Sequence, residues 1–373
     1  MNPVSLLLAV NFDQKKLLAR FWRSASCFWR EDRPRAPVLI VFLVGIVLLQ
    51  LLVQVLLNLW NRHFFDALER RDGQALWFQA GMFFPLAAAS ILLAATSVWG
   101  RMRAQRSWRE ALTRQVVGKW LEKDRFRRLN HLIQKGTENP EYRIAFDIRI
   151  ATDAPVDLTL ALLSSMLTAI TFFSVLWSVG GSITFSVFDL AVTIPGYLVF
   201  GAIIYSGVVS SLMVLLGHHL SGVIERTNQS EAELRTANDS FRGGDGQAQD
   251  ALGVADKKQT LQLKLQAVLV WWREYCWQLV LTTLVSHGNF LCAPVVAWLL
   301  CVPKYLSGAM SLGELTQSAA AFVVVQGAFN WLVDNYQRLS DWRSAAHRVA
   351  TLLLALDEIE ASEHPAGERP EQG

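Results

Sequence analysis

The sequence predicts an all-α membrane protein in which six transmembrane helices carry long cytoplasmic extensions, and three observations predict it. Of the 373 residues, 52% are hydrophobic and only 18% charged, whereas soluble domains carry about a quarter charged residues. Six stretches stay apolar over the roughly 20 residues that a helix rising about 1.5 Å per residue needs to cross a hydrocarbon core. Basic residues alternate between rich and poor connections, and 31 of the 35 Lys and Arg fall in the rich ones. Cytoplasmic connections collect Lys and Arg, so both termini and the two long loops are placed inside.

In chain order, residues 1–35 form an N-terminal segment on the cytoplasmic side. Leu17, Leu18, Phe21, Trp22, Phe28 and Trp29 are mixed there with Lys and Arg, the composition of an interfacial amphipathic helix, stopped by Pro34 and Pro37. No positive residues precede the short apolar run at the start and no small-residue cleavage site follows it, so a cleaved signal peptide is not expected. The spans are expected at about 36–60, 75–99, 157–180, 188–216, 275–301 and 311–337, the last free of charge for nineteen residues around "AAAFVVVQGAFNWLV". Trp60, Trp99, Trp177, Trp271 and Trp272 stand at the ends of apolar runs, where an indole places its apolar body and its N–H at the water–lipid boundary.

Between the second and third spans, Trp108, Leu112, Val116 and Trp120 recur every fourth residue while Arg106, Arg109, Arg114, Lys119 and Lys123 take other faces. That pattern extends the second span as an amphipathic helix. "QKGTENP" breaks it, and Asn139–Pro140 starts another helix, Asn accepting from free backbone N–H groups and Pro fitting the first helical position. The alternation in "YRIAFDIRI" suggests a strand, but the helix-start signal outweighs it. Between the fourth and fifth spans, a polar helix is expected to about Phe241, then a break at Gly243, Gly244 and Gly246, then helix again. The core six-helix domain runs over 36–357, and a polar, disordered tail occupies 358–373.

Polar groups within hydrocarbon cost free energy unless partnered or wetted, so they mark where a translocation path is sought. Ser318, Gln326, Asn330 and Asp334 make a stripe on the sixth span, with Glu314 one turn before. His287 and Asn289 sit near the middle of the fifth span, and Gln50 and Gln54 share a face of the first. A substrate cavity lined by Gln326, Asn330, Asp334, His287, Asn289, Gln50 and Gln54 is one reading; hydrogen bonds between neighbouring helices are the other. Cys27, Cys276, Cys292 and Cys301 form no CxxC pair, so neither disulfide nor metal is expected. A net charge of +3 points to no nucleic acid. No nucleophile, metal cluster or carboxylate pair stands out, so the chain is not expected to be an enzyme.

"SWREALT" (107–113), "NPEYRIAFDI" (139–148), "FFSVLWSVGG" (172–181), "IPGYLVFGAIIY" (194–205), "EAELR" (231–235) and "VVQGAFNWLVDNYQRLSDWR" (324–343) together resemble the transmembrane half of an ABC transporter subfamily. It includes peroxisomal fatty-acyl half-transporters, bacterial fused permease–ATPases and SbmA/BacA-like peptide uptake proteins. The resemblance implies an ABC-exporter-type (type-1) transmembrane domain, a homodimer enclosing one cavity, and a location in the cell inner membrane. It also implies a coupling helix at Asn139, Pro140, Arg143, Ile144 and Asp147, the positions that match the family; Glu141 and Tyr142 depart from it. A second departure is "FRGGDGQAQDALGVADKK", unlike the family's second coupling region. The chain carries no GxxxxGK[ST] phosphate loop, so ATP is expected on a separate nucleotide-binding subunit, with no cofactor in this chain. The expected function is a permease moving a peptide or hydrophobic, acyl-type substrate by alternating access; the alternative is proton-driven, SbmA/BacA-like peptide uptake without an ATPase.

Overall fold

A computed structural model of the chain describes residues 22–24, 26, 35–132, 140–187, 190–242 and 251–363. Two units are distinguished: Met1–Thr168 together with Asp334–Gly373, and Ala169–Val333.

The first unit begins with α1, Arg35–Glu69, paired with α2, Gly73–Leu121. Pro37 falls in the first turn of α1, where its missing N–H has no intrahelical partner to lose. The reversal is tight: Arg71 adopts φ +55°, and the Asp72 carboxylate caps α2 by accepting from the backbone N–H groups of Gln74 and Ala75, both at 3.0 Å. Gly100 lets the two helices approach, since a Cβ there would meet Leu43 Cδ2 at 2.8 Å. At the other end of the pair the Trp60 indole N–H donates to the Gln79 carbonyl at 2.8 Å, and its ring lies against Phe64 and Phe83. The interfacial helix expected over 15–35 lies outside the described residues except for a helical turn at 22–24, where Trp22 is exposed.

The polar extension of α2 follows its sequence pattern. Trp108, Leu112 and Val116 are buried, Trp120 packs against them, and the Arg faces are solvated. The helix does not continue to residue 130, however. Lys123 and Asp124 take φ +49° and +57°, left-handed values that no residue-level pattern marks in "LEKDRF". After a 3₁₀ turn at Glu122–Asp124 a short helix α3, Arg125–Leu132, resumes. Pro140–Tyr142 then opens a helical turn that passes through a π turn, Arg143–Asp147, into α4, Ile148–Gly180. The helical reading of this stretch holds over the strand alternative. The C-terminal helix α8, Trp331–Glu363, supplies Ala346, Val349, Ala350, Leu353 and Leu356 to the same core as Leu112, Val116 and Ile148. It runs past the expected start of a disordered tail at 358, because Ile359 is itself buried in that core. Residues 364–373 are outside the described set.

In the second unit the fourth apolar run departs from expectation. A helical span was expected over 188–216; it is helical only from Tyr197 onward, and its beginning is a strand: β1, Ser182–Val187, pairs antiparallel with β2, Leu190–Pro195, in the register Ile183↔Ile194 and Phe185↔Val192. The fold is therefore nearly all-helical rather than all-α. "SITFSV" alternates polar and apolar residues with period two, and its β-branched content suits a pleated surface. Gly181 and Gly196 close both ends with φ +58° and +63°. At Gly196 a Cβ would stand 2.3 Å from the Trp177 ring. Gly196→Ala is accordingly expected to lower stability by about 2–4 kcal/mol through left-handed strain and overpacking, read as a depressed melting midpoint in detergent; an unchanged midpoint would show that the hairpin corner is not a tight constraint.

Helix α5, Tyr197–Arg242, packs along α6, Ala251–Leu306; the glycine-rich stretch expected to interrupt the helix at Gly243, Gly244 and Gly246 lies outside the described residues. The Lys304 ammonium donates to the Gly180 carbonyl at 2.5 Å, capping the end of α4. Helix α7, Leu312–Phe329, starts with a capping box: Ser311 Oγ accepts from the Glu314 N–H while the Glu314 carboxylate accepts from the Ser311 N–H. Among the described residues five helices are long and apolar enough to cross a membrane, within Ala36–Glu69, Gly73–Leu129, Arg143–Gly180, Tyr197–Asn238 and Lys258–Leu306. The region expected as the sixth, 311–337, is divided: α7 ends at Phe329 and α8 begins at Trp331, with Asn330 between them at φ −71°, ψ −10°.

Candidate functional site

Each unit carries its own group of polar residues that is a candidate site. In the first unit, the helical elbow at 140–147 is anchored from inside. Asp147 has no solvent exposure, and both its oxygens accept from the Arg348 guanidinium of α8, at 2.7 and 2.8 Å. Arg143 is buried as well, and Ile144 packs against the core. A planar guanidinium matched to a carboxylate in this bidentate form is both strong and directional. Nearly three turns further along α4, Asp157 accepts from Gln105 at 2.9 Å, Arg101 at 3.4 Å and Arg338 at 2.6 Å. Near the far ends of α2 and α8, Lys119 bridges Asp357 and Glu360 at 2.8 and 3.1 Å. Burial works against the Lys119 ammonium, but hydrogen bonds to these two carboxylates outweigh it and hold its pKa above the usual lysine value.

What the elbow leaves outside is chemically distinct. Tyr142 and Phe146 stack at 5.2 Å between ring centroids, and both are exposed. The Arg149 guanidinium sits 5.7 Å from the Phe146 centroid. Of the five positions matched to the coupling-helix pattern, Arg143, Ile144 and Asp147 thus face inward and position the elbow, while the accessible face belongs to Tyr142, Phe146 and Arg149. Asn139 and the Pro140 side chain lie outside the described residues. Arg348 was not singled out by sequence: its partner is 201 positions away, and a lone Arg on an amphipathic helix carries no signal of it.

In the second unit, Asn289 and the sixth-span polar residues are brought near one another through Tyr205. The Tyr205 hydroxyl donates to Asn289 Oδ1 at 3.0 Å, and its ring lies 5.7 Å from that of Phe322 on α7. Ser318 and Gln326 on α7, and Ser206 on α5, are buried, and Ser318 Oγ, Gln326 Nε2 and Ser206 Oγ have no hydrogen-bond partner among the described residues. Leaving such a group unpaired costs about 1–3 kcal/mol. His287 is not part of this group; it is exposed on α6 and stacks on Phe290. Glu314 serves the capping box. The stripe from Ser318 to Asp334 is not carried by one unbroken helix, since Asn330 ends α7 and Asp334 lies in the first turn of α8. Gln50 and Gln54 are half-buried on α1 in the first unit. Tyr205 and Ser206 were missed because an isolated Tyr-Ser pair in an apolar run has no distinguishing pattern.

Comparison with known proteins places these features. The family described as ABC transporter transmembrane region 2 matches residues 31–306. The chain is 26% identical over 360 residues to the inner membrane ABC transporter ATP-binding protein YddA of Escherichia coli, covering 92% of this chain and 62% of that protein. It is 24% identical to an uncharacterized ABC transporter ATP-binding protein of Haemophilus influenzae, over 80% of this chain and 50% of the relative. To the chloroplastic ABC transporter D family member 2 of Arabidopsis thaliana it is 21% identical, over 92% of this chain and 46% of the relative. The chain therefore spans about half to three-fifths of the length of these relatives.

Proposed function

The chain belongs to the ABC transporter transmembrane region 2 family, and from that premise we propose that it is an inner-membrane permease moving a peptide or hydrophobic, acyl-type substrate by alternating access. Energy comes from ATP hydrolysis on a separate nucleotide-binding subunit. The observation that carries this reading is the elbow at 140–147: Asp147 is locked to Arg348, while Tyr142 and Phe146 stand exposed beside Arg149. A rigid base with a protruding aromatic knob suits transmission of a push from a docked motor, because aromatic and Arg side chains make the energetic centres of protein contacts. In this reading the elbow and both termini are cytoplasmic, residues 311–337 form a sixth span bent at Asn330, and two copies enclose the substrate path.

The orphaned polar atoms of Ser206, Ser318 and Gln326 support a path along α5 and α7. Polar groups kept in hydrocarbon without partners are costly and find use where water or substrate enters in another conformation. Gln326→Leu is expected to stabilise the resting protein by about 1 kcal/mol by removing an unpaired amide, while reducing transport. Equal transport by wild type and variant would remove Gln326 from the path.

The test is purification of the full chain from its native membrane, identification of co-purifying ATP-binding subunits, and uptake of a labelled peptide and a fluorescent fatty acid into proteoliposomes. ATP-dependent flux with such a subunit is the expected result. Flux driven by a pH gradient, with no ATP-binding subunit, would favour the SbmA/BacA-like alternative instead.

A further inference from the structure

Where α2 leaves its apolar stretch, one face of the helix changes character without interruption. Trp99, Met102, Arg103, Arg106 and Arg109 follow one another at helical spacing along about 15 Å of axis, opposite the buried line Gly100, Ala104, Trp108 and Leu112. Trp99 and Met102 are 63% and 64% exposed, and Arg103, Arg106 and Arg109 are exposed beyond them. Together with Asp153 of α4 these residues line a groove of about 450 Å³. Its floor is held in place: Gln105 donates to the Asp153 carbonyl and to Asp157, and Arg109 donates to the Ala145 carbonyl at 3.4 Å. Arg103 and Arg106 make no hydrogen bond or ion pair among the described residues. Three guanidiniums against one carboxylate leave the groove cationic.

We propose that this groove binds an anionic glycerophospholipid of the leaflet through which α2 exits, with an acyl chain along Trp99 and Met102 and the phosphate between Arg103, Arg106 and Arg109. The order of the residues argues for a lipid. The apolar contacts lie on the side of the span, none of whose most apolar stretch is buried by the rest of the chain, and the cations lie just beyond it. A phosphodiester attached to hydrocarbon has the same order, and guanidiniums match phosphate oxygens in a forked geometry. A second copy presenting the same face would bring three more guanidiniums against these three, which a two-fold contact disfavours.

The test uses the full chain in neutral detergent. Its melting midpoint is followed as phosphatidylglycerol, phosphatidylcholine, glycerol phosphate or inorganic phosphate is titrated in. Phosphatidylglycerol is expected to raise the midpoint saturably, and the R103Q/R106Q variant to bind it with roughly fivefold weaker affinity for each guanidinium removed. R114Q, on the same helix but outside the groove, is expected to titrate as wild type. Equal response of R103Q/R106Q and wild type overturns the proposal. So does an equal effect of phosphatidylcholine, which would leave only apolar contact, or of the free phosphates, which would make the groove a soluble-anion site. A wild-type dimer that R103Q/R106Q dissociates, seen by light scattering, would assign the face to a second copy. Should the variant not fold, photocrosslinking of wild type with a diazirine phosphatidylglycerol decides the matter: adducts on the peptide spanning Trp99–Arg106 are expected, and their absence overturns the lipid assignment.

Discussion

Arg348→Ala is expected to lower stability by about 3 kcal/mol and to abolish transport. The loss comes from the carboxylate it strands. Asp147 has no exposure to water, and both its oxygens accept from the Arg348 guanidinium. Breaking a buried pair by removing one partner costs about 3–5 kcal/mol, because the remaining charge keeps its desolvation without its counter-charge. The lower end applies here, since a third of the Arg348 side chain reaches solvent. The double variant Asp147→Leu/Arg348→Met should regain most of the stability, as an apolar pair of similar volume removes both charges at once. Transport separates two roles for the pair. If the double variant also transports, the pair only holds the elbow in place; if it folds but does not transport, the orientation imposed by the bidentate contact is itself needed. A wild-type melting midpoint for Arg348→Ala would end the view that this contact anchors the elbow.

The second large effect concerns coupling without stability. Tyr142→Ala/Phe146→Ala removes an exposed, stacked pair, and surface substitutions away from buried features usually shift stability by no more than about 0.5 kcal/mol. Aromatic anchors at the centre of a contact, by contrast, each cost about 2 kcal/mol or more on truncation. The double variant should therefore melt with wild type while binding the proposed ATP-binding subunit at least about 30-fold more weakly, measured by co-purification and by ATP-dependent uptake. Retained co-purification together with retained uptake would move the docking surface away from this elbow. The contrast with Arg348→Ala is diagnostic: one variant loses fold and function, the other function alone.

Much of the architecture was legible because it rests on local rules. Trp108, Leu112 and Val116 recur with the period of a helix and are buried, as that period demands. The helical course of 140–148 follows the helix-start signal rather than the period-two alternation. The hairpin at 182–195 was hidden because mean apolarity does not separate a strand pair from a helix. The alternation in "SITFSV" and the glycines at 181 and 196 were the available signals. The break at Lys123 had none: a left-handed backbone at a Lys and an Asp has no residue-level signature.

Of the candidate site, the elbow itself was visible in the sequence, but its division of labour was not. Arg143 and Asp147 look like exposed charges in a polar loop, and only the helix arriving from 201 positions later turns Asp147 inward. In the same way Asn289 was visible as a polar residue in an apolar run, but its partner Tyr205 was not. By itself the sequence determined that the chain has several segments long and apolar enough to enter a bilayer, five of them continuous helices among the described residues, because that depends on residue type and local count. The tertiary structure alone decided which charges are buried and paired and which rings remain exposed, because a carboxylate's cost in low dielectric depends on what distant chain is packed against it.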